Sequence, residues 1–373
     1  MLCKIKFKEI IAFIVMVSLI IILYPQKQIN SHEVAYLQKN VQHEISLNEQ
    51  DLQSKKAFIV SELHGFKENT LIRYKFLSYL NDNRGINVYL GEISFSSGYL
   101  LNEYLQTGNI LLLDKVFSFY KGSTFCTEEE YQFYQDLYKY NQNINNQKKI
   151  TLYGIDIEHS LESALYFYNY YTKTNINDIN QILNAKYFDP LLIHLQNNIH
   201  YYHVFYPEYN FQKRDNFMYH NYLFLHKHYQ IDCFFSQLGA KHSFLDITSD
   251  KYRSFAYYLN HSLDSPLKGK VLSIHTFYKD SAYIEAYKFK QQNYYKEHNI
   301  KRTYQTNNLD CLNNKWNLIN LEEENSPFNQ SLVWYNLESN NLPRKTTDYY
   351  QYLLLINNST HANPLDNFVK ADN

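Results

Sequence analysis

The sequence predicts an α/β domain: a mostly parallel central sheet flanked by helices, with long helical insertions and an N-terminal hydrophobic helix ahead of it. Three observations carry this prediction. Short apolar runs recur along the chain, each suited to a buried strand and too short for a helix. Tyr- and Leu-rich stretches of helical spacing, notably 160–172 and 212–229, separate the runs. The first two runs enclose a helix, and strand, helix and strand in succession make a βαβ unit with parallel strands and a right-handed crossover.

Taken in order, Ala57-Phe58-Ile59-Val60 is the first strand, ending in Ser61-Glu62-Leu63-His64-Gly65. Leu71, Ile72, Phe76, Leu77 and Leu80 then recur at helical spacing, and Asn83-Arg84-Gly85 stops that helix. Ile86 to Leu90 is the second strand, followed by Gly91-Glu92, and Ile150 to Tyr153 is the third, followed by Gly154-Ile155-Asp156-Ile157-Glu158. Ile231–Leu238, Val271–Phe277 and Tyr350–Ile356 complete the set. The domain spans residues 55–360, after a polar linker or loosely packed lead-in helix at 26–54 and before a polar tail at 361–373.

Residues 1–25 read differently. Lys4, Lys6 and Lys8 precede an apolar run from Ile10 to Tyr24 that Pro25 ends. A basic flank followed by an apolar stretch marks a signal peptide or a membrane anchor. The run is 15 residues, against roughly 20 for a straight spanning helix, which favours a cleaved segment. No small-x-small cleavage site follows, which favours an anchor. Either way the chain is expected to be exported or held at a membrane.

Composition excludes other classes. With 36 Lys+Arg against 37 Asp+Glu, net −1, the chain has no basic excess for nucleic acid. Aromatics at 17% are too many for a disordered chain. Cys3, Cys126, Cys233 and Cys311 stand apart without a CxxC pair, so neither a zinc ribbon nor a disulfide scaffold is indicated. GxSxG, Walker A and GxGxxG are all absent from the sequence.

What remains is a pattern of ionisable strand ends: Glu62 with His64, Glu92, Asp156 with Glu158, and His242. In an open parallel sheet the ligand crevice lies at the carboxyl ends of the strands. His64 beside carboxylates is a candidate general base. Glu62, His64, Glu92 and His242 are equally a candidate divalent-metal set, and the residues leave the two chemistries open. Farther on, Arg214, Met218 and Asn221 share one helix face with Asp215 on the neighbouring stripe. That face is either an anion or oxyanion clamp or the solvated start of an ordinary helix.

These residues resemble a known group in their order and spacing. Phe58 to Gly65, with Glu68 and Arg73 after it, is similar to the opening of the erythromycin esterase-like superfamily, which includes the haem-binding ChaN lipoproteins and the TIKI/TraB metalloprotease-like proteins. Glu92, Tyr153-Gly154-Ile155-Asp156, Arg214-Asp215-Asn216-Phe217-Met218, Gly239-Ala240-Lys241-His242 and Asp348-Tyr349-Tyr350 continue the likeness. The resemblance implies His64 as the base that activates water, Glu62 and Glu92 as its acidic partners, Arg73 and Arg214 as charge stabilisers, and His242 as a second essential histidine. Its substrate would be a small molecule or peptide carrying an ester or amide. Three departures stand out: Glu62-x-His64 in place of Glu-x-x-His, Ser61 where a glycine is usual, and Lys241-His242 where a His-Asn-x-His motif is usual. They bring the ChaN and TIKI-like branches, with a divalent metal or haem, into the reading.

Overall fold

The computed structural model describes residues 30–248, 250–289, 292–302, 307–333, 344–365 and 369–370. The predicted N-terminal hydrophobic helix falls in residues outside this set. Among the described residues no helix is long and apolar enough to cross a membrane.

All six strands read from the sequence are present: β2 (Ala57–Glu62), β3 (Val88–Ser94), β4 (Thr151–Asp156), β5 (Phe234–Gly239), β6 (Val271–Phe289) and β9 (Tyr352–Asn357). They lie side by side in the order β9-β6-β2-β5-β3-β4, every neighbouring pair parallel. β2 is buried at every position, as a strand covered on both faces must be. β5 sits between β2 and β3, so the first βαβ unit crosses over one strand.

The sheet extends further than the apolar runs indicate. β8 (Trp316–Asn320) adds antiparallel to β9, and β1 (Val41–Gln42) adds antiparallel to β8. β6 runs on past Phe277 and turns back as β7 (Gln292–Arg302), whose outer edge takes β10 (Val369–Lys370). The described part of the segment expected as a polar linker or loosely packed lead-in helix, residues 30–54, packs against the sheet. It forms α1 (Ser31–Asn40), β1 and α2 (Glu49–Ser54); Tyr36 and Leu37 are buried, and the Tyr36 hydroxyl donates to the Asn320 carbonyl at 2.8 Å. The start of the expected tail is also engaged, through bridges Phe66–His361 and Thr127–Pro364.

Helices cover both faces. On one lie α3 (Glu68–Arg84), α4 (Phe95–Thr107), α5 (Ile110–Tyr120), α6 (Glu128–Asn143), α7 (Leu161–Thr172), α8 (Ile179–Asn184) and α9 (Pro190–Glu208), whose apolar residues join one core with Phe58, Val60 and Phe235. On the other, α10 (Phe211–Tyr229) and α11 (Phe255–His261) pack on Ala57, Ile59 and Leu90. α3 buries Ile72, Phe76, Leu77 and Leu80 and ends where Gly85, at φ 68°, adopts the left-handed cap that glycine enters at no steric cost. Gly98 and Gly154 let α4 lie directly on β4: a Cβ on Gly98 would stand 2.2 Å from the Gly154 nitrogen. A Cβ on Gly154 itself would stand 2.1 Å from the Ser94 carbonyl oxygen, which is the structural reason for the glycine in Tyr153-Gly154-Ile155-Asp156.

Candidate active site

The carboxyl ends of β2, β3, β4 and β5 bring the sequence-predicted ionisable residues together. Glu62 closes β2, and its buried carboxylate reaches His64 Nδ1 at 2.8 Å. An ionised carboxylate only accepts hydrogen bonds, so neutral His64 carries its proton on Nδ1 and leaves Nε2 with a lone pair. Nε2 lies 4.0 Å from Glu92, too far for a hydrogen bond, and the side chain is 33% exposed. Burial disfavours the imidazolium most strongly, but the Glu62 hydrogen bond and the charges of Glu92 and Glu62 outweigh it, so the His64 pKa is raised.

Behind Glu62 stands Arg73, from α3. Its Nε donates to Gln237 at 2.7 Å, its Nη1 and Nη2 reach Glu130 at 2.7 and 2.8 Å, and Nη2 also approaches Glu62 at 3.3 Å. With all three nitrogens engaged, Arg73 has none to offer a substrate. The expected charge stabiliser is instead a fixed brace for Glu62.

The second group centres on Glu92. The register of β3 on β4 shifts between Gly91 and Ser94, an irregularity that spans Glu92 within the strand. One Glu92 oxygen accepts from the Gly239 backbone at 2.6 Å; the other faces Arg214 at 2.9 Å and His242 Nε2 at 3.3 Å. Burial opposes the Glu92 charge, yet His242, Arg214 and His64 together hold its carboxyl well below the usual carboxylate range. His242, on the 3-10 turn Ala240–Ser243 after β5, faces a carboxylate from each ring nitrogen: Glu92 on one side and Asp215, by a short hydrogen bond, on the other. As an imidazolium the ring carries a proton on each nitrogen, Nδ1 donating to Asp215 and Nε2 facing Glu92 at 3.3 Å. Burial works against that cation, but the two carboxylates push the His242 pKa up to about 10.

Helix α10 turns Arg214 and Asp215 toward the strand ends. Asp215 is fully buried and also accepts from the Tyr252 hydroxyl at 2.7 Å and the Phe255 backbone at 3.0 Å. Arg214 donates through Nε to Asp156 at 2.8 Å and through Nη2 to Asp156 and Glu92. Its Nη1 has no partner among the described residues and is the one clamp nitrogen left for a ligand. Burial penalises Asp156 most, and Arg214 and His159 more than reverse that, leaving its pKa well below the usual range. Asn221 does not reach the pocket: its amide nitrogen caps β4, donating to the carbonyls of Ile155 at 3.0 Å and Asp156 at 3.3 Å. Glu68 lies apart as well, bound to Lys315 at 2.7 Å and to the Trp316 indole at 3.1 Å.

A divalent metal does not fit the Glu62, His64, Glu92 and His242 set in this arrangement. Glu62 spends its oxygens on His64 and Arg73, and Glu92 spends its own on Gly239, Arg214 and His242. Each carboxylate already has a guanidinium beside it, and a histidine protonated on both nitrogens has no lone pair for a metal. Among the described residues no group of three or more His, Cys, Asp or Glu side chains is placed to hold a metal ion.

Four participants escaped the sequence reading: Glu130, Gln237, Tyr252 and His159, the last bound to Asp156 at 2.8 Å and the Tyr206 hydroxyl at 3.0 Å. Glu130 follows Glu128 and Glu129 in the first turn of α6, where an acidic run reads as ordinary helix-start chemistry. Phe125, just before α6, places its ring 4.9 Å from that of His64.

The amino-acid sequence matches no family model and no curated protein. The structure does find neighbours. Erythromycin esterase EreC, in a histidine-to-asparagine variant described as open, superposes at TM-score 0.58 and 10% identity over 84% of this chain and 93% of that one. The chain has an erythromycin esterase-like fold. The same fold occurs in a crystal structure described as a succinoglycan biosynthesis protein, at TM-score 0.61 and 13% identity over 91% of this chain and 100% of that one. A Bacillus cereus protein superposes at TM-score 0.61 and 12% identity over 89% and 98% of the two chains. The likeness seen in the short sequence motifs thus extends to the three-dimensional architecture of the erythromycin esterase-like fold.

Proposed function

We propose that the protein is a hydrolase of an ester or amide in a small molecule or peptide, with His64 as the base that activates water without a metal. The observation that carries this reading is the His64–Glu62 pair, with Nδ1 on a carboxylate and Nε2 open at the strand ends. Nε2 takes a proton from water as the oxygen adds to the substrate carbonyl. The tetrahedral oxyanion meets Arg214 Nη1, and His64 then returns the proton to the leaving alkoxide or amine. The fold shared with erythromycin esterase supports an ester as the first substrate class to examine. The basic and apolar residues from Lys4 to Tyr24 support an exported or membrane-anchored placement, which fractionation of the producing cell tests directly.

The decisive experiment is an ester panel assayed with wild type and His64→Ala after chelation. Turnover that survives chelation and disappears in the variant supports the reading. Turnover retained by His64→Ala rejects it. Because the base must be neutral and its pKa is raised above the ordinary 6.5, kcat/KM should climb along a limb displaced above pH 6.5.

A further inference from the structure

The first turn of α6 reaches His64 by two routes. Phe125, just ahead of the helix, lies against the imidazole ring, with centroids 4.9 Å apart at 55°. Three residues past the Thr127 cap, Glu130 closes a bidentate pair with Arg73 at 2.7 and 2.8 Å. Arg73 continues to one oxygen of Glu62 at 3.3 Å, and the other Glu62 oxygen holds His64 Nδ1 at 2.8 Å. The chain of contacts is therefore Glu130–Arg73–Glu62–His64. Its middle members are sealed from water: Arg73 and Glu62 side chains are each 4% exposed, and the guanidinium stands 4.8 Å over the Phe133 ring. Gln237 fixes the remaining Arg73 nitrogen at 2.7 Å.

We propose that Glu130 is a positioning residue for His64, acting through Arg73 and Glu62. A planar guanidinium shared between two carboxylates divides its attraction between them. Glu130 takes the bidentate face, which leaves Glu62 the longer, single contact and frees its second oxygen for His64. Without the Glu130 charge, Arg73 closes on Glu62 and competes with His64 Nδ1 for that carboxylate. In a neutral histidine side chain without partners the proton favours Nε2, so a weaker Glu62 contact lets it migrate to the nitrogen that must stay bare.

This inference rests on His64 as the base, yet its test does not need a substrate. The groups facing the imidazole are Glu62 from β2, Glu92 from β3 and Arg214 from α10, with Arg73 behind Glu62. The experiment is 15N NMR of ring-labelled His64 in the neutral form, comparing wild type with Glu130→Gln, Arg73→Lys and Asp136→Asn. Asp136, 45% exposed on the same helix, controls for the loss of one negative charge.

Wild type and Asp136→Asn should hold the proton on Nδ1. Glu130→Gln should shift a measurable fraction of it to Nε2. Arg73→Lys, which gives one point charge in place of a fork, should do the same. Circular dichroism identifies any variant that has lost its fold, and the other variant then decides. An unchanged tautomer in a folded Glu130→Gln or Arg73→Lys overturns the proposal, and so does an equal shift in Asp136→Asn. Failure of His64→Ala to lose turnover would reject the hydrolase reading while leaving this tautomer result intact.

Discussion

The two histidine–carboxylate pairs at the ends of β2 and β5 use the same residue types for different ends. His64 binds one carboxylate through Nδ1, is 33% exposed, and leaves Nε2 bare. His242 is 7% exposed and lies between Asp215 and Glu92, and the two carboxylates raise its pKa and favour a proton on each nitrogen at neutral pH. The difference is the number of carboxylates per ring. One partner orients an imidazole and leaves its second nitrogen with a lone pair; two partners hold the ring as a buried charge. A motif containing histidine and an acid therefore does not define a base until the environment of each nitrogen is known.

The largest expected effect separates the pairs by activity. His64→Ala should lower kcat/KM on a hydrolysed ester by about 10² to 10⁴, with a thermal midpoint close to wild type. His242→Ala removes the cation between two buried carboxylates and should lower stability by roughly 3–5 kcal/mol, read from urea unfolding. Equal stability losses in the two variants would erase the distinction.

The pH dependence of folding sharpens it next. A His242 pKa of about 10 in the folded state, above the ordinary 6.5, contributes stability that is complete below pH 6.5 and is lost as the pH rises through 10. Buried His275 and His194 have the opposite sign. Desolvation lowers each to about 3, so their contribution is complete above pH 6.5 and is lost as the pH falls toward 3. Urea midpoints should therefore fall on both sides of neutrality. His242→Gln should flatten the alkaline side alone; an alkaline slope that persists in the variant would place its origin elsewhere.

The smallest effect concerns the space between the pairs. A Cβ on Gly239 would meet Glu92 Oε2 at 3.3 Å, His64 Nε2 at 3.4 Å and His242 Cδ2 at 3.5 Å. Gly239→Ala should change stability by less than about 1 kcal/mol, since a side chain or loop shift of a few tenths of an ångström relieves such contacts. It should raise KM or lower kcat several-fold by crowding Nε2. Unaltered kinetics would place the reacting carbonyl away from Gly239.

How far the sequence reaches can be judged residue by residue. The strands of the parallel block were legible because both faces are buried, which forces uninterrupted apolar runs such as Phe58-Ile59-Val60. Strand ends at Glu62, Glu92, Asp156 and His242 were legible for the same reason, since a charge closing an apolar run is conspicuous. β1, β7, β8 and β10 were not: two of them are two residues long, and β7 is rich in Lys, Asn and Tyr with no apolar run to announce it. Their formation depends on an edge already present to pair with.

The sequence by itself therefore determined the parallel block of the sheet, the order of its elements and the ionisable groups that close its strands, because local patterns of burial are written in local composition. Only the tertiary structure decided which group does what. It fully engages Arg73, leaves Arg214 Nη1 without a partner among the described residues, moves Glu68 and Asn221 to structural work, and brings Glu130 and Tyr252 to the site. The reason is physical: the state of an ionisable group is set by the charges and hydrogen-bond partners within a few ångströms, and those partners come from segments far apart along the chain.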